Sequence, residues 1–355
     1  MQVDTSNPQL LILGNGFDMA AGLASGFKDF FDSRQGMINA GEYLNTAWDE
    51  IFAHWRRNHT FSSDDASWRD VENVMYAFLT THEKIVTSIM MYIRLRQIGL
   101  NSSGETTLNA EKISSAYDLT EREAEGILRL SRHIYNIVSA RYSNVFSEAL
   151  EQAGIDVFYS GTSLVPLYEF QQYDFGHMTT IYLDELHLFE SDFKKHLDGA
   201  VEDKKEAYVE AAQAQFDKLL EDLVPLADKQ STYVMNFNYT MKTWKTDSYE
   251  TPRSHALSVH GNLDAGDIVF GIDSFHIQKG ETDEMLDAKL LPFSKTYRTL
   301  MFATPNRVKL DVQNFKVLKF YGQSLGVQDY SYFMSLFDEA NLYGGDITLI
   351  FYYSL

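Results

Sequence analysis

The chain has 355 residues, of which 45% are hydrophobic and 14% aromatic, so it can bury a large core and is neither disordered nor fibrous. Fifty Asp and Glu against thirty Lys and Arg give a net charge of −20, which argues against nucleic acid as the main partner because Lys and Arg bind most phosphates. Cysteine is absent, which excludes disulfides, thiolate zinc sites, iron–sulfur clusters and cysteine nucleophiles.

The first predicted element is a buried strand near the start of the chain. The preceding segment, Met1–Pro8, has neither the basic region nor the long apolar run of a signal peptide. Leu10–Leu13 is a short, continuous apolar run that leads directly into Gly14–Asp18. This pattern is typical of a buried strand that ends in a glycine turn.

Helical periodicity dominates from about residue 42 to residue 226. Val74–Ile98 and Glu121–Ala153 are each amphipathic, and Val201–Leu223 has the pattern of a charged surface helix. No segment reaches the roughly 18 apolar residues that a membrane span requires. We therefore expect a soluble, cytoplasmic protein without a membrane partner.

Short strand-like runs replace the helical pattern after Asp228. Near-continuous apolar strands with helices between them predict a mostly parallel sheet that is covered on both faces. We therefore predict an α/β core made of residues 1–36 and 229–355, with a helical domain inserted at residues 37–228. The predicted strands of the second half are Thr232–Asn236, Ala256–His260, Asp267–Gly271, Phe315–Tyr321 and Ile347–Tyr353.

The first polar motif at a predicted strand end is Gly14-Asn15-Gly16. Ligands of open α/β sheets bind beyond the carboxyl ends of the strands, where glycines let backbone amides approach a phosphate. The third glycine of the dinucleotide fingerprint is missing, because Met19 occupies its position. A tight turn with Asp18 capping the next helix explains the same residues without a ligand.

Two more motifs follow later strands. Asn238 and Thr240 could orient a ribose or a water molecule, or could satisfy the backbone of a turn. His260 comes at a strand end just before Gly261, where an imidazole can act as a base near neutral pH. A structural histidine is the alternative.

The last motif, Tyr321–Gly326, contains the Gly-x-Ser-x-Gly pattern of the α/β-hydrolase nucleophile elbow. That fold needs its histidine after the serine, but all ten histidines precede Ser324. What remains is a loop in which Gly322 and Ser324 suit contacts to phosphate or ribose. No zinc-protease or P-loop motif occurs, and we expect no metal.

A basic stretch follows His260 in this acidic chain. Residues 285–320 contain seven Lys and Arg against two Asp. Such a local excess could attract a phosphorylated ligand, although solvated helix and strand edges explain most of these residues equally well.

Taken together, the motifs resemble the AbiH-like abortive-infection family of bacterial anti-phage proteins. Their order is also similar to a distant version of the sirtuin pattern, which implies a Rossmann-like sheet around NAD. The residues that carry the family resemblance are Ile12–Asp18, Gly22, Leu23, Phe27–Phe30, Trp68–Glu72, Phe237–Thr240, Val259–Asn262, Phe320–Gly326 and Asp329.

The sirtuin resemblance implies a base at His260 and an essential asparagine at Asn238. Thr240 stands where an aspartate usually follows that asparagine, and the zinc-binding cysteines of deacetylating sirtuins are absent. The family resemblance adds Glu72 as a polar contact to ribose, although an acidic residue in the first turn of a helix can equally complement the helix dipole. The binding residues that these resemblances imply are Gly14, Asn15, Gly16, Asp18, Glu72, Thr240, Gly322 and Ser324.

The resemblance therefore implies an anti-phage protein that binds NAD or a related nucleotide and cleaves the nicotinamide–ribose bond. The alternative is a non-catalytic nucleotide sensor or interaction protein of phage defence. A phage-derived trigger is an expected partner in either case. The sequence leaves the oligomeric state open.

Overall fold

The chain folds around one parallel sheet in the computed structural model. Its five strands are β1 (Gln9–Leu13), β2 (Thr232–Asn236), β3 (Ala256–Ser258), β4 (Val317–Tyr321) and β5 (Thr348–Tyr352), in the order β3-β2-β1-β4-β5. The structure describes residues 9–41, 44–58, 68–97, 108–142, 144–152, 176–221, 232–240, 256–263, 268–273, 288–301, 310–325 and 329–352.

The central strand is β1, and its five residues are all buried. Leu13 lies opposite Asn236 of β2 on one side and Tyr321 of β4 on the other. The prediction that the first strand pairs with the strands of the second half is therefore confirmed. Because β2 and β4 lie on opposite sides of β1, the strand order reverses there, and ligands of open α/β sheets bind at such a point.

One predicted strand is wrong. Within the described residues 268–272, only single bridges occur, from Ile268 to Gly261 and from Ile272 to Ser294. Charged side chains satisfy the backbone of Phe270 instead: its N–H donates to Glu190 and its carbonyl accepts from Arg298. Since these groups are already paired, the segment needs no neighbouring strand.

Nine described helices lie between β1 and β2 in the chain, and two follow β3. The first nine are α1 (Gly16–Ala20), α2 (Phe27–Ala40), α3 (Ala47–Asn58), α4 (Trp68–Ala77), α5 (Glu83–Gln97), α6 (Ala110–Tyr117), α7 (Glu121–Arg141), α8 (Val145–Gln152) and α9 (Gly176–Glu221). The other two are α10 (Lys295–Met301) and α11 (Tyr330–Glu339). A π-helical turn, Phe78–His82, joins α4 to α5.

The longest helix, α9, has 46 residues and spans about 70 Å at about 1.5 Å per residue. Its second half was predicted as a charged surface helix, but it is amphipathic and buries Tyr208, Phe216 and Leu219. These side chains belong to the same core as Leu11 and Leu13 of β1. No helix of the described part is long and apolar enough to cross a membrane.

Alternate residues of β1 face two different cores, as the period of a strand requires. Leu10 and Ile12 pack with residues of β4 and α11. Leu11 and Leu13 belong to a larger core that continues through the helices between β1 and β2. The division into domains at residues 36 and 229 stays a prediction.

Candidate functional site

The loops that follow β1 and β4 touch each other at the carboxyl edge of the sheet. The N–H of Gly14 donates to the carbonyl of Tyr321 at 3.0 Å, and the N–H of Gly16 donates to Gly322 at 2.9 Å. A Cβ on Gly16 would lie 2.7 Å from the Cα of Gly322, so only glycine permits this approach. The phosphate contact predicted for this loop stays a prediction, and it would need N–H groups other than these two.

Asn238 ties the loop after β2 to the same edge. Its Nδ2 donates to the carbonyl of Gly14 at 2.9 Å, and the side chain of Asn236 holds its backbone. Asn238 is only 4% exposed, and its Oδ1 accepts no hydrogen bond within the part of the chain that the structure describes. A buried acceptor without a partner is costly, so it suits a hydrogen bond from a ligand or a water molecule.

Asp18 and Thr240, both predicted to contact a nucleotide, bond to each other in the interior. The hydroxyl of Thr240 donates to Asp18 at 2.5 Å, and the hydroxyl of Tyr208 donates to the other Asp18 oxygen at 2.8 Å. Burial raises the pKa of Asp18 from its ordinary value of 3.8 to about 6, although both hydrogen bonds act in the opposite direction. These contacts tie α1 and the loop after β2 to α9.

The first residues of α1 do not use Asp18 as a cap. Asn15 occupies the N-cap position, and its Oδ1 accepts a hydrogen bond from the hydroxyl of Ser25 at 2.7 Å. The expectation that Asp18 caps this helix is wrong, because the carboxylate turns inward to the two hydroxyl groups. A nucleotide contact from Asn15 stays a prediction.

His260 forms a dyad with Asp329, the residue just before α11. Its Nε2 lies 3.1 Å from an Asp329 oxygen, and its ring packs edge-on against Phe237 and Tyr332. The side chain is 6% exposed, and Nδ1 has no hydrogen-bond partner among the residues that the structure describes. If Nε2 carries the proton that Asp329 accepts, Nδ1 presents an unused lone pair.

The electrostatic environment keeps this imidazole neutral. Burial lowers the pKa of His260, and the charge of Lys295 lowers it further, although Asp329 acts in the opposite direction. The neutral ring is the form that can accept a proton. The geometry and the charge therefore both suit a general base.

Lys295, the first residue of α10, connects two buried carboxyl groups. Its Nζ donates to Asp329 at 2.8 Å and also to a carboxyl oxygen of Glu72 of α4. Burial alone would lower the pKa of Lys295, but the two carboxyl groups raise it overall. Lys295 therefore stays charged between them.

The two carboxyl groups carry different protonation states. Burial raises the pKa of Glu72 to about 8, although Lys295 acts in the opposite direction. Burial also favours a higher pKa for Asp329, but Lys295 and His260 hold this pKa well below its ordinary value. Near neutral pH, Asp329 is charged and Glu72 keeps its proton. Such separation of two pKa values is typical of groups with acid and base roles.

The solvated alternative for the basic stretch does not hold for three of its seven residues, whereas the attraction of a phosphorylated ligand stays a prediction. Lys295 is buried in the cluster just described. Arg298 makes a bidentate ion pair with Glu190, and the Nζ of Lys319 donates to the carbonyl of Leu219. Composition alone showed the charges but could not show their partners.

The late loop closes the site on its exposed side. The Nε2 of Gln323 donates to Asp329 at 3.0 Å and thereby joins this loop to the His260 dyad. Gly322 is exposed with a left-handed φ of 64°, and Ser324 is exposed at the rim. The structure thus brings the loops after β1, β2 and β4 together with His260 at one edge. Asp329, noted before only within the family resemblance, and Lys295, noted before only within the basic stretch, complete the site.

The comparison with family models identifies the chain. The model described as bacteriophage abortive infection AbiH matches residues 10–353, which is nearly the whole sequence. The chain belongs to the AbiH family. A search of the curated proteins found no match, and a search of the solved structures found none. The AbiH resemblance of the sequence motifs is confirmed, and the family links the chain to phage abortive infection.

Proposed function

We propose that this AbiH-family protein binds NAD or a closely related nucleotide at the carboxyl edge of a Rossmann-like sheet and cleaves its nicotinamide–ribose bond during phage defence. The observation that carries the proposal is the buried His260–Asp329 dyad, whose Nδ1 has no partner among the described residues. It lies at the edge where the strand order reverses between β1 and β4, which is where open α/β sheets bind nucleotides.

The proposed reaction needs a base but no acid. The bond between C1′ of the ribose and the nicotinamide nitrogen breaks, and neutral nicotinamide leaves with the electron pair. A water molecule attacks C1′, and Nδ1 of His260 takes its proton. Asp329 stabilises the imidazolium that forms. The products are nicotinamide and ADP-ribose.

The neighbouring groups position the reactants. The unpaired Oδ1 of Asn238 accepts a hydrogen bond from the attacking water or from a ribose hydroxyl. Protonated Glu72, whose Oε2 has no partner within the described part of the chain, contacts the ribose. Gly322 and Ser324, at the exposed rim, contact the adenosine half. Holding water and C1′ in one geometry contributes more than the base alone.

A nucleotide sensor without catalysis is the second candidate. It is favoured by the loop after β1, because the N–H groups of Gly14 and Gly16 are bound to the loop after β4. Thr240, which stands at the position of the sirtuin aspartate, is bound to Asp18 rather than facing the site. In a sensor, the same edge would recognise a ligand and change the contacts between these loops.

The test combines turnover with binding on the purified full chain. We expect the protein, with or without extract of phage-infected cells, to convert NAD to nicotinamide and ADP-ribose. His260→Ala should lower kcat at least about 100-fold and leave NAD binding within about threefold, since a base acts on the transition state. Ser324→Ala should mainly raise KM.

The outcomes separate the candidates. NAD binding without turnover in any condition would contradict cleavage and favour the sensor. Calorimetry that detects no binding of NAD, ADP-ribose or any adenine nucleotide at millimolar concentration would contradict both.

A further inference from the structure

A second charged cavity lies on the helical part of the chain, between α3 and α7. It has a volume of about 220 Å³. It is lined by His54, Arg57, Arg122, Glu125, Gly126 and Arg129. None of these residues belongs to the loops at the sheet edge.

Three of the residues that line this cavity are arginines. Within the part of the chain that the structure describes, Arg57, Arg122 and Arg129 form neither an ion pair nor a hydrogen bond, and the same holds for Glu125. Three like charges around one cavity repel each other in a chain whose net charge is −20. An anion in the cavity would relieve this repulsion.

Helix geometry creates the space between the arginines. Arg122 and Arg129 are seven residues apart on α7, so they lie two turns apart on the same face. Gly126 lies between them on that face and brings no side chain. A glycine inside a helix destabilises it relative to alanine, so this position costs stability and opens the cavity.

A larger cavity adjoins the first and shares Glu125 and Arg129 with it. It has a volume of about 810 Å³ and is lined in part by Leu108, Leu128 and Asn136. This size is within the range of small-molecule sites. Planar guanidinium groups match phosphate oxygens. The larger cavity adds apolar and amide groups, and also the carboxyl groups of Glu111 and Glu121, which can accept hydrogen bonds from a nucleoside.

We propose that the two cavities form a second nucleotide site. The di- or triphosphate binds in the arginine cavity, and the nucleoside lies in the larger one. This site is separate from the sheet edge and does not depend on NAD cleavage. A phosphorylated small molecule bound here would act on the helices that hold Glu72, because α3 packs against both α4 and α7.

The test titrates the full chain with inorganic pyrophosphate and with ADP by calorimetry. Changing both Arg122→Gln and Arg129→Gln should weaken pyrophosphate binding about tenfold or more, because each arginine donates charged hydrogen bonds. The matched control is Lys84→Gln with Lys218→Gln, which removes the same charge from two exposed helical positions. The control should bind within about twofold of the unchanged protein.

Gly126→Ala should change stability and binding in opposite directions, which would not happen if Gly126 had a purely structural role. It should raise Tm by about 1 to 2 °C because alanine favours the helix, while weakening pyrophosphate binding because its methyl group enters the cavity.

Three results would overturn the proposal. Equal weakening in the arginine and lysine variants would mean that binding follows net charge alone. Absence of pyrophosphate binding at about 5 mM would remove the anion site, since that concentration detects very weak affinity. ADP binding no tighter than pyrophosphate would show that the larger cavity takes no nucleoside.

Discussion

The buried charges around His260 indicate that this cluster does more than fill the core. Glu72, Lys295 and Asp329 are all largely removed from water, and replacing such groups by apolar residues often costs nothing in stability. The cluster contacts one nitrogen of the His260 imidazole, and the other nitrogen has no partner among the described residues. Glu72 and His260 should each control one limb of the pH dependence.

The first prediction concerns the pH profile of NAD cleavage. The rate should rise as His260 loses its proton below the ordinary histidine value of 6.5, because burial lowers its pKa. The rate should fall as Glu72 ionises near its pKa of about 8. Glu72→Gln keeps a neutral hydrogen-bonding group, so the alkaline limb should disappear from a plot of kcat/KM against pH.

The acid limb of the same kcat/KM profile serves as the internal control. Glu72→Gln should leave the acid limb in place, since His260 is unchanged. An alkaline limb that stays near pH 8 in the glutamine variant would assign it to another group and contradict the role of Glu72.

Two loops, rather than single side chains, shape the edge of the sheet. The loops after β1 and β4 meet through backbone atoms, so their glycines are needed for contact within the protein. Gly322 combines a left-handed φ with a Cβ position 2.4 Å from the N of Phe17. Any side chain there must separate the two loops.

The second prediction compares glycines at two places. Gly16→Ala should lower the free energy of unfolding by about 2 to 4 kcal/mol, because its methyl group would overlap the Gly322 backbone. Gly36→Ala, inside α2 with nothing within 4 Å of the added Cβ, should raise it by about 0.5 to 1 kcal/mol. Urea unfolding measures both. Similar effects of the two variants would contradict the close contact of the loops.

At the scale of the whole molecule, α9 holds the helical part and the sheet together. Tyr208 reaches Asp18, the carbonyl of Leu219 accepts from Lys319 of β4, and Glu190 pairs with Arg298 of α10. Because these contacts are buried, their protonation states enter the stability of the entire fold.

The third prediction is the pH dependence that Asp18 gives to stability. Its folded pKa of about 6 exceeds its ordinary value of 3.8. The folded state thus binds a proton more tightly than the unfolded state, and this stabilisation is full below pH 3.8 and lost as pH rises through 6. From pH 4 to 7, Asp18→Asn should gain about 2 kcal/mol relative to the unchanged protein.

Urea unfolding at several pH values measures this difference. Asp32→Asn, at an exposed position of α2, removes one negative charge and is the matched control. A constant difference between Asp18→Asn and the unchanged protein across this range would contradict the prediction.

The sequence by itself determined the sheet and the place of the site. Apolar runs such as Leu10–Leu13 must be covered on both faces, so a parallel sheet built from both ends of the chain followed from them. Polar residues after these runs had to meet at one edge, because parallel strands end on the same side. Helical periodicity likewise located the segment between β1 and β2, because it depends only on neighbours along the chain.

Only the tertiary structure decided which groups act together. Glu72, Lys295, Asp329 and His260 are far apart in the chain, and no period relates them. The run at residues 267–271 looked like a strand because its apolar residues are local, but its backbone is satisfied by Glu190 and Arg298 from other elements. The pKa values depend on burial and on the charges that packing brings near, and neither can be read from residues taken in order.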